Sequence, residues 1–175
     1  MKKKEIVAIV GDNGVGKTTF AKTLYGLLAE KMGQFIFLEK NWKRKRLSKL
    51  WYILQDSDYQ LFSDSVYNEL LMGTKITADK KAKAENLLKS LDLWELKDQH
   101  PFSLSGGQKQ SLTFAVGYMS DADILILDEP TSGLDSKNLL RVADLINQLS
   151  KDGIAVIVIT RDYELIQTVC HRVLF

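Results

Sequence analysis

One segment, Gly11-Asp12-Asn13-Gly14-Val15-Gly16-Lys17-Thr18, constrains this chain more than any other, because of what flanks it. The apolar run Ile6 to Val10 precedes it and a stretch with helical spacing follows, so a strand delivers the loop and a helix leaves it. A loop of pattern G-x-x-x-x-G-K-[ST] in that setting curls so that successive N–H groups point inward, above the partial positive charge of a helix N-terminus. Such a cradle suits phosphate groups, with Lys17 reaching the β- and γ-phosphates and the Thr18 hydroxyl ligating Mg²⁺. Thr19 adjoins them. A glycine-rich turn that binds nothing would not need Lys17 and Thr18 at this spacing.

The rest of the chain has the alternation that such a unit requires. The runs Ile6 to Val10, Phe35 to Leu38, Trp51 to Leu54, Ile124 to Leu127 and Ala155 to Ile159 read as strands, and their lack of polar alternation predicts burial on both faces. Helices are expected after Lys17, over 64–72, 78–91 and 136–150, and after Ser105 and Asp162, with Ser136 and Asp162 as N-caps. The expected fold is α/β, a mainly parallel sheet flanked by helices. Residues 60–101 lack strand-like runs and read as a helical subdomain inserted into a core formed by 1–59 and 102–175. At 175 residues with 45% apolar content, one domain is the expectation.

Composition narrows the partners. Lys plus Arg number 24 against 22 for Asp plus Glu, a net charge of +2, so no polyanion is implied and no nucleic-acid partner is expected. The basic run Lys40, Lys43 to Arg46, with Trp42 and Trp51 near it, is read as a solvated loop between strands. The basic-then-apolar N-terminus runs into the glycine-rich motif without a cleavage site, which argues against a secretion signal. The longest apolar run, Ile154 to Ile159, is far short of the roughly 20 residues that cross a bilayer. The lone Cys170 excludes an intrachain disulfide, and a small core residue is its simplest role.

A second site element closes the argument for nucleotide. Ile124-Leu125-Ile126-Leu127-Asp128-Glu129 is a buried strand ending in two carboxylates, at the edge of the sheet where ligands of open α/β folds bind. Asp128 is expected to hold Mg²⁺ through water and Glu129 to act as general base on the attacking water.

Leu104-Ser105-Gly106-Gly107-Gln108, ahead of Asp128-Glu129-Pro130-Thr131, resembles the signature motif of ABC transporter ATP-binding domains, and Thr131-Ser132-Gly133-Leu134-Asp135 resembles their D-loop. Gln55 resembles their Q-loop glutamine, and the segment Asp56 to Phe62 with Val66, Glu69 and Gly73 is most similar to ATPases of energy-coupling-factor and cobalt or nickel importers. The resemblance, which spans the chain in order, implies a P-loop NTPase fold and an ATP- and Mg²⁺-dependent motor on the cytoplasmic face of the cell membrane, driving uptake of a vitamin or metal ion. It implies that Gln55 touches the metal, and that Ser105, Gly106, Gly107, Gln108 and Asp135 meet ATP held by a second such domain. A membrane subunit would dock a coupling helix beside Gln55. On spacing alone, Leu61, Phe62 and Val66 equally fit packing inside the helical subdomain.

The chain departs from the family pattern in ways that carry expectations. Arg161 stands where the family has a switch histidine, which implies slowed hydrolysis at the chain's own site; the alternative is that its fixed charge acts as an arginine finger in cis. The family's N-terminal antiparallel β-subdomain with its adenine-stacking aromatic is missing from the expected place, and the end at His171 to Phe175 resembles a strand cut short. A trimmed domain with weak ATP binding is the expectation that follows. Two further readings stay open: a degenerate half that completes a partner's active site, and a soluble ABC ATPase outside transport.

Overall fold

The computed structural model describes residues 1, 3–12, 14–29, 36–37, 40–41, 49–54, 56–134 and 136–175, with the backbone alone at 36, 37, 40, 41, 57 and 137. It divides into two compact units: Met1–Gln55 with Ala122–Phe175, and Asp56–Asp121.

The first unit is built on a five-stranded sheet in which every pairing is parallel. Its strands are β1 (Ile6–Ile9), β4 (Leu50–Ile53), β5 (Ile124–Asp128), β6 (Ala155–Ile159) and β7 (Arg172–Leu174), in the order β4-β5-β6-β1-β7. β5 and β6 are buried along their whole length, as uninterrupted apolar runs in a doubly covered parallel sheet should be. On one face Tyr52, Ile124, Ile126, Ile157 and Ile159 pack with Ala21 of helix α1 (Lys17–Tyr25). Helix α5 (Ser136–Lys151) buries Leu139, Val142, Ala143, Ile146 and Leu149, an apolar stripe at helical spacing, and packs on β6 and on α6 (Tyr163–Val169). Each such leucine, isoleucine or valine side chain contributes about 1.5–3 kcal/mol on full burial.

Three expectations about elements need correction. The run Phe35 to Leu38 does not join the main sheet: β2 (Ile36–Phe37) pairs antiparallel with β3 (Lys40–Asn41) in a separate two-stranded sheet, while Phe35 and Leu38 lie outside the described residues. Apolar content marked a strand but carried no information on its partner. β3 also takes the start of what had read as a basic solvated loop; Trp42 and Lys43 to Arg46 lie outside the described residues. Ser136 is the first helical residue of α5 and so not its cap. Asp162 does cap α6, its carboxylate accepting the Leu165 N–H at 3.1 Å. Cys170 is half-buried at the end of α6, where burial pushes its thiol up to about 11 and keeps it protonated and inert.

The second unit is helical. Ser65 caps α2 (Val66–Leu71) and Thr77 caps α3 (Ala78–Ser90), their hydroxyls accepting the N–H groups of Asn68 and Lys80, the third residue of each helix. Helix α4 (Gly106–Met119) packs on both, burying Leu112, Phe114, Ala115, Val116 and Met119. Lys80 donates to the Met119 carbonyl at 3.0 Å and to Asp121 at 2.6 Å, placing a cation at the C-terminal end of α4. This unit therefore extends past the boundaries expected at 60 and 101. The buried face of α4 belongs with α2 and α3, and a motif-based boundary at Pro101 could not register that packing.

Candidate functional site

The register of the sheet gathers the site. Ile9 of β1 pairs with Ile159 of β6, and Asp128 of β5 pairs with the same Ile159, so three strands end level with one another. The loops that leave them, 10–16, 129–132 and 160–162, emerge at one carboxyl edge of the sheet, the position where open α/β sheets hold ligands.

The loop from β1 turns on Gly14 and Gly16, whose φ of +85° and +102° are left-handed conformations that side chains resist, and Gly16 passes directly into α1. The Lys17 ammonium arches back over this loop and donates to the carbonyls of Gly11 at 2.6 Å and Asp12 at 2.8 Å. Those two bonds aim a full positive charge across the loop's concave side. The Thr18 hydroxyl donates to Asp128 Oδ2 at 3.1 Å, joining the helix start to the end of β5. Asp128 is buried, and the same Oδ2 accepts the Tyr52 hydroxyl at 2.7 Å. Burial first, and then the bond to Asp128 and its charge, raise the Tyr52 phenol far above its ordinary value, so it stays a donor.

Glu129 follows in a left-handed conformation, φ +50°, at a cost of about 1–3 kcal/mol for a non-glycine residue. Its N–H still donates to the Ile159 carbonyl at 2.8 Å, so the backbone turns sharply right after the ladder's last bond. Its carboxylate accepts the Thr160 hydroxyl at 3.3 Å, while Thr160 accepts the Asp162 N–H at 3.0 Å, which directs the hydroxyl proton toward Glu129. Asp162 also accepts the Thr131 hydroxyl at 2.7 Å and so fixes the turn that follows Glu129.

A cavity of about 370 Å³ opens here, lined by Gly14, Gly16, Lys17, Thr18, Thr19, Asp128, Glu129, Ser132 and Arg161. All but Ser132 among these are sequence-derived site residues. Gly11, Asp12 and Val15 shape the loop behind them, whereas Asn13, Gln55 and Asp135 lie outside the described residues. Reading the sequence assigned no role to Tyr52 or Thr160; a lone phenolic oxygen inside the apolar strand Leu50–Ile53 was the signal available for the first. For a hard divalent cation, the Thr18 hydroxyl and the Asp128 carboxylate form a fitting all-oxygen donor pair. Among the described residues no cluster of three or more His, Cys, Asp or Glu forms a metal cage, so a cation here would complete its shell with phosphate and water oxygens.

The signature segment lies in the second unit. Ser105 opens α4 with a capping box: Ser105 Oγ accepts the Gln108 N–H and Gln108 Oε1 accepts the Ser105 N–H at 2.9 Å. Gln108 is thus occupied by the cap. The N–H groups of Gly106 and Gly107 belong to the first helical turn, which has no intrahelical partners, and a Cβ on Gly106 would meet nothing within 4 Å. Of the three apolar residues near the start of this unit, Leu61 is 2% and Val66 0% exposed, whereas Phe62 is 73% exposed, as is Tyr59 at 72%. The buried Glu69 carboxylate accepts the N–H groups of Phe62 and Ser63 at 2.9 and 2.6 Å and thereby presents Phe62 outward.

A parallel sheet with a glycine loop, an arching lysine and paired carboxylates at its carboxyl edge defines a P-loop nucleotide-binding protein. The ABC transporter family pattern matches residues 1–132, and the chain belongs to that family. An ABC transporter ATP-binding protein of Treponema denticola is 48% identical over 97% of this chain and 35% of its own length. The energy-coupling factor transporter ATP-binding protein EcfA3 of Clostridium perfringens is 35% identical over 99% of this chain and 65% of its own length. The structure of cbiO1 from Clostridium perfringens, part of the ABC transporter complex cbiONQ, superposes with a TM-score of 0.85 at 32% identity, over 97% of this chain and 72% of that one. The chain thus spans about a third of the Treponema protein and just under two thirds of the EcfA3 protein. Among the described residues no helix is long and apolar enough to cross a membrane.

Proposed function

We propose that this chain binds and hydrolyses ATP as a motor of an ABC importer, peripheral on the cytoplasmic face of the membrane, and drives uptake of a small nutrient of the vitamin or metal-ion class. The observation that carries it is the convergence of Lys17, Thr18, Asp128 and Glu129 on one polar cavity. Residues 11–19 cradle the phosphates and Lys17 holds the β- and γ-phosphates. Thr18 and Asp128, with Gln55, would hold Mg²⁺, which neutralises phosphate charge. Glu129, held by Thr160, takes the proton of the water that attacks the γ-phosphorus, and the bond to the bridging oxygen breaks to release ADP.

The tip formed by Ser105, Gly106 and Gly107, with Gln108 as its cap and Asp135 of the D-loop nearby in the family pattern, would seal ATP held by a second ABC ATPase domain. The bareness of Gly106 supports this, since no described residue approaches closely enough to demand a glycine there. Gly106→Val is therefore expected to leave folding and ATP binding intact. It should weaken ATP-dependent self-association, read by analytical ultracentrifugation, about ten- to a hundredfold, the effect of forcing 1–3 kcal/mol of overpacking into an anion contact. Unchanged association would show that the tip meets no partner. The exposed Phe62, whose backbone Glu69 holds, and the exposed Tyr59 supply the surface for a coupling helix of the membrane subunit. Turnover measured for the whole transporter, stimulated by substrate, tests the importer reading; ATPase activity indifferent to the membrane subunit would contradict it.

Arg161 favours a second reading, in which the chain hydrolyses ATP poorly and chiefly completes a partner's site. Activity that appears with a partner ATPase and survives Glu129→Gln in this chain would select it.

A further inference from the structure

We infer that Tyr52 is a positioning residue for the metal-holding carboxylate: its phenol locks Asp128 so that one carboxylate oxygen stays presented to the cavity, and this sets how readily Mg²⁺ joins bound ATP. The inference rests on the nucleotide-site reading above and deepens it.

The geometry is specific. Both described hydrogen bonds of Asp128, from Tyr52 at 2.7 Å and Thr18 at 3.1 Å, fall on Oδ2, which leaves Oδ1 with no donor among the described residues. The terminal torsion of an aspartate is broad, so a carboxylate at a strand end turns freely unless donors hold it. The two donors differ in firmness. Thr18 is exposed in the first turn of the helix that leaves the glycine loop, so water and ligands compete for its hydroxyl. Tyr52 is 4% exposed, sits on β4 beside β5, packs among Ile126, Ile157 and Ile159, and has the Tyr25 ring at 5.8 Å. It is the rigid donor. Partners that orient a ligating carboxylate from behind change metal affinity when removed, typically by about 10- to 100-fold.

A phenol that merely satisfies itself in the core would matter for stability alone, and metal linkage separates the two roles. Tyr52→Phe keeps the ring and removes the donor. ATP binding to the whole protein is measured by calorimetry in EDTA and again across a Mg²⁺ titration. Metal-free ATP affinity is expected within about twofold of wild type, while the Mg²⁺ concentration giving half of the metal-dependent gain rises about tenfold. A folded Tyr52→Phe protein with the wild-type Mg²⁺ midpoint overturns the inference. Should that variant not fold, 3-fluorotyrosine at position 52 supplies the second readout: its ¹⁹F resonance is expected to shift when Mg²⁺ joins the ATP complex, and an unmoved resonance overturns the inference as well. Wild-type protein that binds no ATP would instead overturn the nucleotide-site reading itself.

Discussion

Glu129→Gln is expected to lower ATP turnover by about 10²- to 10⁴-fold while leaving ATP affinity within a few-fold of wild type. The amide is nearly isosteric with the carboxylate and still accepts the Thr160 hydroxyl, so the left-handed turn at 129 and the cavity wall persist. What disappears is the capacity to take a proton from water. Losses confined to turnover identify an interaction made in the transition state, whereas a parallel loss of binding would mean that Glu129 serves the fold of the loop. Steady-state phosphate release combined with calorimetric ATP titration distinguishes them.

The second large effect concerns Arg161, where the expected direction is a gain. Arg161→His should raise turnover by about 10- to 1,000-fold, the magnitude attached to a restored transition-state contact. Arg161 lines the cavity with Glu129 and is exposed, and it makes no hydrogen bond or ion pair among the described residues. No described residue therefore aims its guanidinium, and preorganisation is what makes such groups catalytic. A fixed cation on a long stem also cannot lose or shuttle a proton. If turnover instead falls by about a thousandfold, arginine is a finger supplying charge in cis, and the slowed-hydrolysis reading is wrong. Unchanged turnover would remove Arg161 from the chemistry altogether.

Much of the site was legible because its residues carry their own context. The strand, glycine loop and lysine around Gly11 to Thr18 specify one another locally, and a strand of four apolar residues ending in Asp128-Glu129 can place those acids at just one kind of edge. β6 falls at the residues expected, Ala155–Ile159, since a buried parallel strand is read from a run of β-branched residues alone. What stayed hidden depends on long-range pairing. The bond from Tyr52 to Asp128 joins residues 76 apart, and its existence follows from β4 lying beside β5, a neighbourhood no local pattern encodes. For the same reason Ile36–Phe37 read as a strand without showing that its partner is Lys40–Asn41 rather than the main sheet, and α4 read as core although its apolar face packs on α2 and α3. Phe62 illustrates a third limit: spacing alone left packing and docking equally open for Leu61, Phe62 and Val66, whereas in the structure Phe62, its N–H held by Glu69, is exposed and the other two are buried.

The most direct test is a calorimetric titration of ATP, with Mg²⁺ present, into the whole protein and its Lys17→Ala variant. Saturable binding of one ATP per chain is expected in the wild type. The variant should bind about 10- to 100-fold more weakly, as the loss of a charge-assisted contact of about 1.5–3 kcal/mol requires. Equal affinity in the two proteins, or heat that never saturates in either, would contradict the account.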